Sequence, residues 1–79
     1  MDAQFKARVL GWLRSEGIAA SDVTSMDGYG SDWAGSTESG FYETFSVSIR
    51  YVLEDGTPGG YLDVEGERMG RLWKAVVGG

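Results

Sequence analysis

The chain has no cysteine, no histidine and no asparagine, and a single proline, Pro58. Without cysteine there is no disulfide framework, no thiolate nucleophile and no cysteine-ligated zinc. Without histidine, neither a Ser-His nor a Cys-His relay can be built, and no imidazole ligates a metal. Without asparagine there is no N-glycosylation acceptor. No apolar run approaches the roughly 20 residues that span a bilayer. Met1 to Lys6 lacks a basic segment followed by an apolar one, so no signal peptide is expected. These absences together predict a cytoplasmic protein.

What is present is 79 residues with thirteen glycines, three Trp, four Tyr and three Phe. That length allows one domain, residues 1–79, with a thin core. The aromatic content is too high for a disordered acidic tail.

Phe5, Val9, Trp12 and Leu13 recur at helical spacing, with Leu10 beside the stripe. Asp2 suits the N-terminus and Gly17 the C′ position, which predicts a helix from Ala3 to about Glu16. A weak strand pattern follows from Val23 to Trp33, and the polar stretch Gly28 to Gly40 reads as a loop or hairpin tip. From Phe41 to Leu53 the alternation is clear: Phe45, Val47, Ile49, Tyr51 and Leu53 lie on one face. Glu54 to Gly59 carries turn chemistry, Asp-Gly followed by proline. Gly60 to Glu65 resumes alternation, with Leu62 and Val64 inward and Tyr61, Asp63 and Glu65 outward. Met69, Leu72, Trp73, Val76 and Val77 form a second helical stripe, with Glu67 in the first turn placed to pair with Arg71. The expected fold is α+β in the order α-β-β-β-α. Its three-stranded antiparallel meander has both helices packed on one face and the other face open.

The charge is unevenly placed. Residues 1–16 carry +1, residues 17–65 carry −8 with Arg50 as the single base, and residues 66–79 carry +2, for a total of −5. Such a one-signed layer repels nucleic acid and attracts basic surfaces. It also serves solubility alone in many small proteins.

Gly28-Tyr29-Gly30 begins like a dinucleotide fingerprint but lacks the third glycine and a following helix, so no phosphate cradle is expected. Asp27, Asp32, Glu38 and Glu43 match no EF-hand spacing, and no metal or other cofactor is expected. Asp63 and Glu65, two apart on one strand face, have the spacing of an acid/base pair, but a small meander offers little room for a deep pocket. Lys6 and Lys74 lie on helix faces, which argues against a Ser-Lys arrangement. The expectation is a protein that is not an enzyme. A small carboxylate-based acid/base enzyme remains the lesser alternative.

Trp12 and Trp73 fall on helix stripes and read as core. Trp33, in a glycine-rich polar stretch, suits either a plug at the core edge or an exposed anchor. Arg68, Arg71 and Lys74 run along the second helix. The element order is similar to that of the double-stranded-RNA-binding domain, which presents basic residues from its second helix. The acidic balance departs from that pattern, so these three bases are read as a solvated face.

In size, acidity and element order across the whole chain, the sequence resembles the small acidic inhibitors of phages and mobile elements, the anti-CRISPR class, which share no motif. The resemblance implies occupation of a basic DNA-binding surface, such as the PAM-reading site of a CRISPR-Cas effector in a bacterial host cell, with no direct nucleic-acid or membrane contact. On this reading Asp27, Asp32, Glu38, Glu43, Asp63 and Glu65 supply the electrostatics, and Tyr29, Trp33 and Tyr42 supply the anchors. The interface would be the open sheet face or the Gly28–Gly40 loop. The alternatives are an intracellular interaction adaptor and a homodimeric module using the same face.

Overall fold

A computed structural model describes residues 3–29 and 46–78. Helix α1 spans Ala3–Ser15, followed by strands β1 (Ala20–Tyr29), β2 (Ser46–Leu53) and β3 (Pro58–Val64), and helix α2 (Gly66–Gly78). The three strands form one antiparallel sheet in the order β1-β2-β3. The expected α-β-β-β-α meander is the observed one.

Amphipathic periodicity explains both helices. Phe5, Val9, Trp12 and Leu13 of α1 are buried, as are Met69, Leu72 and Val76 of α2. They meet Ala20, Val23, Met26, Val47, Ile49 and Val64 from one face of the sheet, and Trp73 packs half-buried against them. The indole Nε1 groups of Trp12 and Trp73 are buried with no hydrogen-bond acceptor among the described residues, so both rings hold the core by apolar packing. The Val77 side chain lies outside the described residues.

Helix α1 ends as its sequence predicts. Gly17 has φ +88°. Its N–H donates to the Arg14 carbonyl at 3.1 Å, and the Ile18 N–H donates to the Leu13 carbonyl at 3.0 Å. This paired closure satisfies two carbonyls that the helix leaves open, and places Ile18 over the core.

The strands differ from the expected ones at their ends. Strand β1 begins at Ala20, before the expected start at Val23, because Ala20 pairs with Leu53 of β2; Arg14 Nε donates to the Ala20 carbonyl at 3.1 Å and ties the segment to α1. The rest of that strand, residues 30–33, and the first part of the second, residues 41–45, lie outside the described residues. Irregular register between Ala20 and Asp22, and again between Val23 and Ser25, puts Ala20, Val23 and Met26 all on the core face. Spaced by three rather than two, they blur the alternation, which is why this strand reads weakly in sequence.

The β2–β3 turn has a Gly56 N–H donating to the Leu53 carbonyl at 2.9 Å and a Leu53 N–H donating to the Thr57 carbonyl at 2.9 Å. Gly56 takes φ +87°, the left-handed residue that a short hairpin loop needs. Asp55 locks the turn, accepting from the Thr57 N–H at 2.9 Å and the Thr57 hydroxyl at 2.6 Å.

One expectation for the basic residues is corrected. Arg68 and Arg71 are not simply solvated, and Glu67 is not the main partner of Arg71. Both arginines converge on Glu16 at the end of α1. Arg71 forks onto its two carboxylate oxygens at 2.9 and 3.1 Å, and Arg68 Nε donates at 3.2 Å. A contact between residues 55 positions apart cannot be read from i to i+4 spacing.

Candidate protein-binding face

Alternation in β2 and β3 turns one set of side chains away from the helices. Register then decides which of them are neighbours. Asp27 of β1 stands opposite Ser48 of β2, and Ser48 stands opposite Asp63 of β3. A second row runs Ser25, Arg50, Tyr61. Asp27, Arg50, Tyr61 and Asp63 are exposed, whereas Ser48, in the middle of the sheet, is 8% exposed.

The two rows differ in how they are held. The Ser48 hydroxyl donates a hydrogen bond to Asp63 Oδ1, which ties the carboxylate to the central strand. Burying a hydroxyl is tolerable because it is bonded. The Arg50 guanidinium carbon lies 5.5 Å from the Tyr61 ring centroid, a cation–π contact. Tyr61 nevertheless remains 60% exposed and is the large exposed hydrophobic side chain among the described residues.

Two shallow depressions mark the face. One of about 170 Å³ is bounded by Asp27, Ser48, Arg50 and Tyr61. The other, about 260 Å³, is bounded by Ser46, Val47, Asp63 and Glu65. Ligand pockets usually exceed about 300 Å³ and are mostly apolar. Depressions of this size and polarity fit single side chains of a partner. The described Asp and Glu residues form no group of three or more placed to hold a metal ion.

Other acids serve the fold. Glu16 is lowered from its ordinary value, chiefly by its hydrogen bond from Arg71, then by the charge of Arg71 and by the hydrogen bond and charge of Arg68. Arg71 is raised in return by the same contact. Asp22 is lowered mainly by the Lys6 ammonium, 2.8 Å away, and by the Val23 N–H. Asp55 is lowered by the hydroxyl and N–H of Thr57. Glu16, Asp22 and Asp55 are therefore engaged in contacts within the fold, as Asp63 is with Ser48.

The structure brings Asp27 and Asp63 onto one face, with Glu65 beside Asp63 just after β3. Tyr29 ends β1, opposite Ser46, and its side chain lies outside the described residues. Asp32, Trp33, Glu38, Tyr42 and Glu43 also lie outside them. The sequence pattern missed the Ser48–Asp63 bond and the role of Arg50. Ser48 and Arg50 alternate with the inward Val47, Ile49 and Tyr51 and so fall on the outward face, but only register shows which neighbours they meet.

No family model matches this chain, and no curated protein or solved structure matches it significantly.

Proposed function

We propose that this protein is a small acidic protein-binding inhibitor acting through its open sheet face. The observation that carries the reading is the Asp27–Ser48–Asp63 row, two carboxylates set on a rigid sheet beside an exposed tyrosine. A sheet face with only shallow depressions and cross-strand neighbours suits recognition of a surface better than chemistry on a small molecule. Acids steer and pair with arginine and lysine, and the aromatic supplies packed area.

The concrete form of the proposal follows the anti-CRISPR resemblance. The face occupies a basic DNA-binding, PAM-reading surface of a CRISPR-Cas effector and blocks target recognition, without catalysis and without contacting nucleic acid. Size, acidity and element order support it.

The test is an interference assay in cells carrying candidate CRISPR-Cas systems, paired with effector binding in vitro. Expression should protect an otherwise targeted plasmid. The Asp27→Lys, Asp63→Lys double variant should lose protection while remaining folded, with a thermal midpoint lowered only by the loss of the Ser48–Asp63 bond, and binding should weaken as salt rises. Protection that survives charge reversal and high salt would sink the acidic-face reading.

A further inference from the structure

Arg50 is the single base between residues 17 and 65, and it sits in the middle of the proposed acidic face. Asp27 is its diagonal neighbour across β1 and β2, since Asp27 pairs with Ser48 and Arg50 with Ser25. Diagonal positions of this kind are about 7–8 Å apart at the backbone, within reach of an arginine. The ion pair that charge alone favours is nevertheless not made. Arg50 turns onto the Tyr61 ring instead. Among the described residues, Asp27 and Arg50 take part in no salt bridge.

The depression between them therefore presents one carboxylate and one guanidinium side by side, with the exposed tyrosine as its wall. The cation–π contact with Tyr61 favours a guanidinium position at the rim of this depression, and Arg50 is exposed there. A purely basic partner would leave Arg50 facing like charge, which costs affinity. A second copy of this chain fits poorly, because Asp27, Asp63 and Glu65 outnumber Arg50 and two such faces repel.

We propose that this depression recognises a two-signed element of a different protein: a carboxylate adjacent to an arginine or lysine. The partner's carboxylate docks on Arg50, its base on Asp27, and the aliphatic stem of that base lies over Tyr61. The proposal rests on the reading that this face binds protein. It adds that Arg50 sets specificity and register within an otherwise acidic surface.

The test uses two capped tripeptides, Arg-Glu-Arg and Arg-Gln-Arg, titrated at low salt into the isotope-labelled protein and followed by amide NMR shifts. Arg-Glu-Arg, although less positive, should bind about fivefold tighter, the upper end of what one exposed ion pair contributes. Shifts should centre on Asp27, Arg50 and Tyr61, and Arg50→Gln should abolish the difference. Tyr61→Leu, which keeps an apolar wall but no ring, should weaken Arg-Glu-Arg selectively. Should Arg-Gln-Arg bind as well or better, and gain from Arg50→Gln, the two-signed site is overturned and the acidic-face reading stands. If neither peptide shifts this face, both readings fall. Sedimentation showing self-association through the face would overturn the claim of a different partner.

Discussion

The Tyr51 ring on β2 occupies the space that a β-carbon at Gly59 on β3 would fill. The glycine lets a core-side aromatic of the central strand lie against the backbone of the edge strand. Next to it, Gly60 takes φ +79°, and β3 carries an extra residue between the Arg50–Tyr61 and Val52–Pro58 pairs. This bulge sets the register that brings Tyr61 beside Arg50.

Gly59→Ala should therefore destabilise the fold by about 1–3 kcal/mol, the usual cost of overpacking. The penalty should shrink in a Tyr51→Leu background, where no ring stands in the way. Urea denaturation of the four proteins of that double-mutant cycle measures the coupling. Equal penalties in both backgrounds would show that the ring is not the obstacle.

Two other glycines are dispensable. Gly11 in α1 and Gly70 in α2 sit in helix interiors, and a β-carbon at either would meet nothing within 4 Å beyond its chain neighbours and the backbone of its own helix. Alanine at each site should stabilise by about 0.5–1 kcal/mol, because it removes backbone freedom from the unfolded chain. In a domain of this size that raises the thermal midpoint by several degrees, about 4–8 °C per kcal/mol. Differential scanning calorimetry checks it.

Acid should loosen the helix pair. The carboxyl of Glu16 titrates below its ordinary value of 4.5 because Arg71 and Arg68 hold its charged form. The associated stability is fully present above that ordinary value and is lost as pH falls through the depressed one. Glu16→Gln should lower stability at neutral pH and flatten the fall below about pH 4. Denaturant midpoints measured from pH 7 to pH 2 test both parts; parallel curves for the two proteins would contradict the assignment.

The buried stripe of α2 should be far more sensitive than the open face. Leu72 is fully buried, so Leu72→Ala should cost about 2–5 kcal/mol. Asp27→Asn, on an exposed side chain with no ion pair to a described residue, should change stability by less than about 0.5 kcal/mol. Comparing the two by chemical denaturation separates residues kept for folding from those free to serve recognition.

The architecture was legible because it depends on local period. Helical spacing in Phe5–Leu13 and Met69–Val76, and alternation in Val47–Leu53, each name a buried face without reference to any distant residue. Gly17 and the Asp55-Gly56 turn were readable for the same reason, since their chemistry acts over a few positions. The candidate face was legible only as a set of outward residues. Ser48 was one hydroxyl among several, and nothing local distinguished it as the hydroxyl that donates to Asp63. Arg68 and Arg71 looked solvated because their partner, Glu16, belongs to the other end of the chain.

By itself, then, the amino-acid sequence determined the kinds and order of the elements, the apolar side of each, and the acidity of the middle of the chain. Those properties follow from steric periodicity and formal charge, which are local. Only the tertiary structure decided which outward residues became neighbours. Strand register, bent by the bulges in β1 and β3, set Asp27 and Asp63 on either side of Ser48 and Arg50 against Tyr61. Register is a long-range packing outcome: a slip of one residue would send each of these side chains to the opposite face.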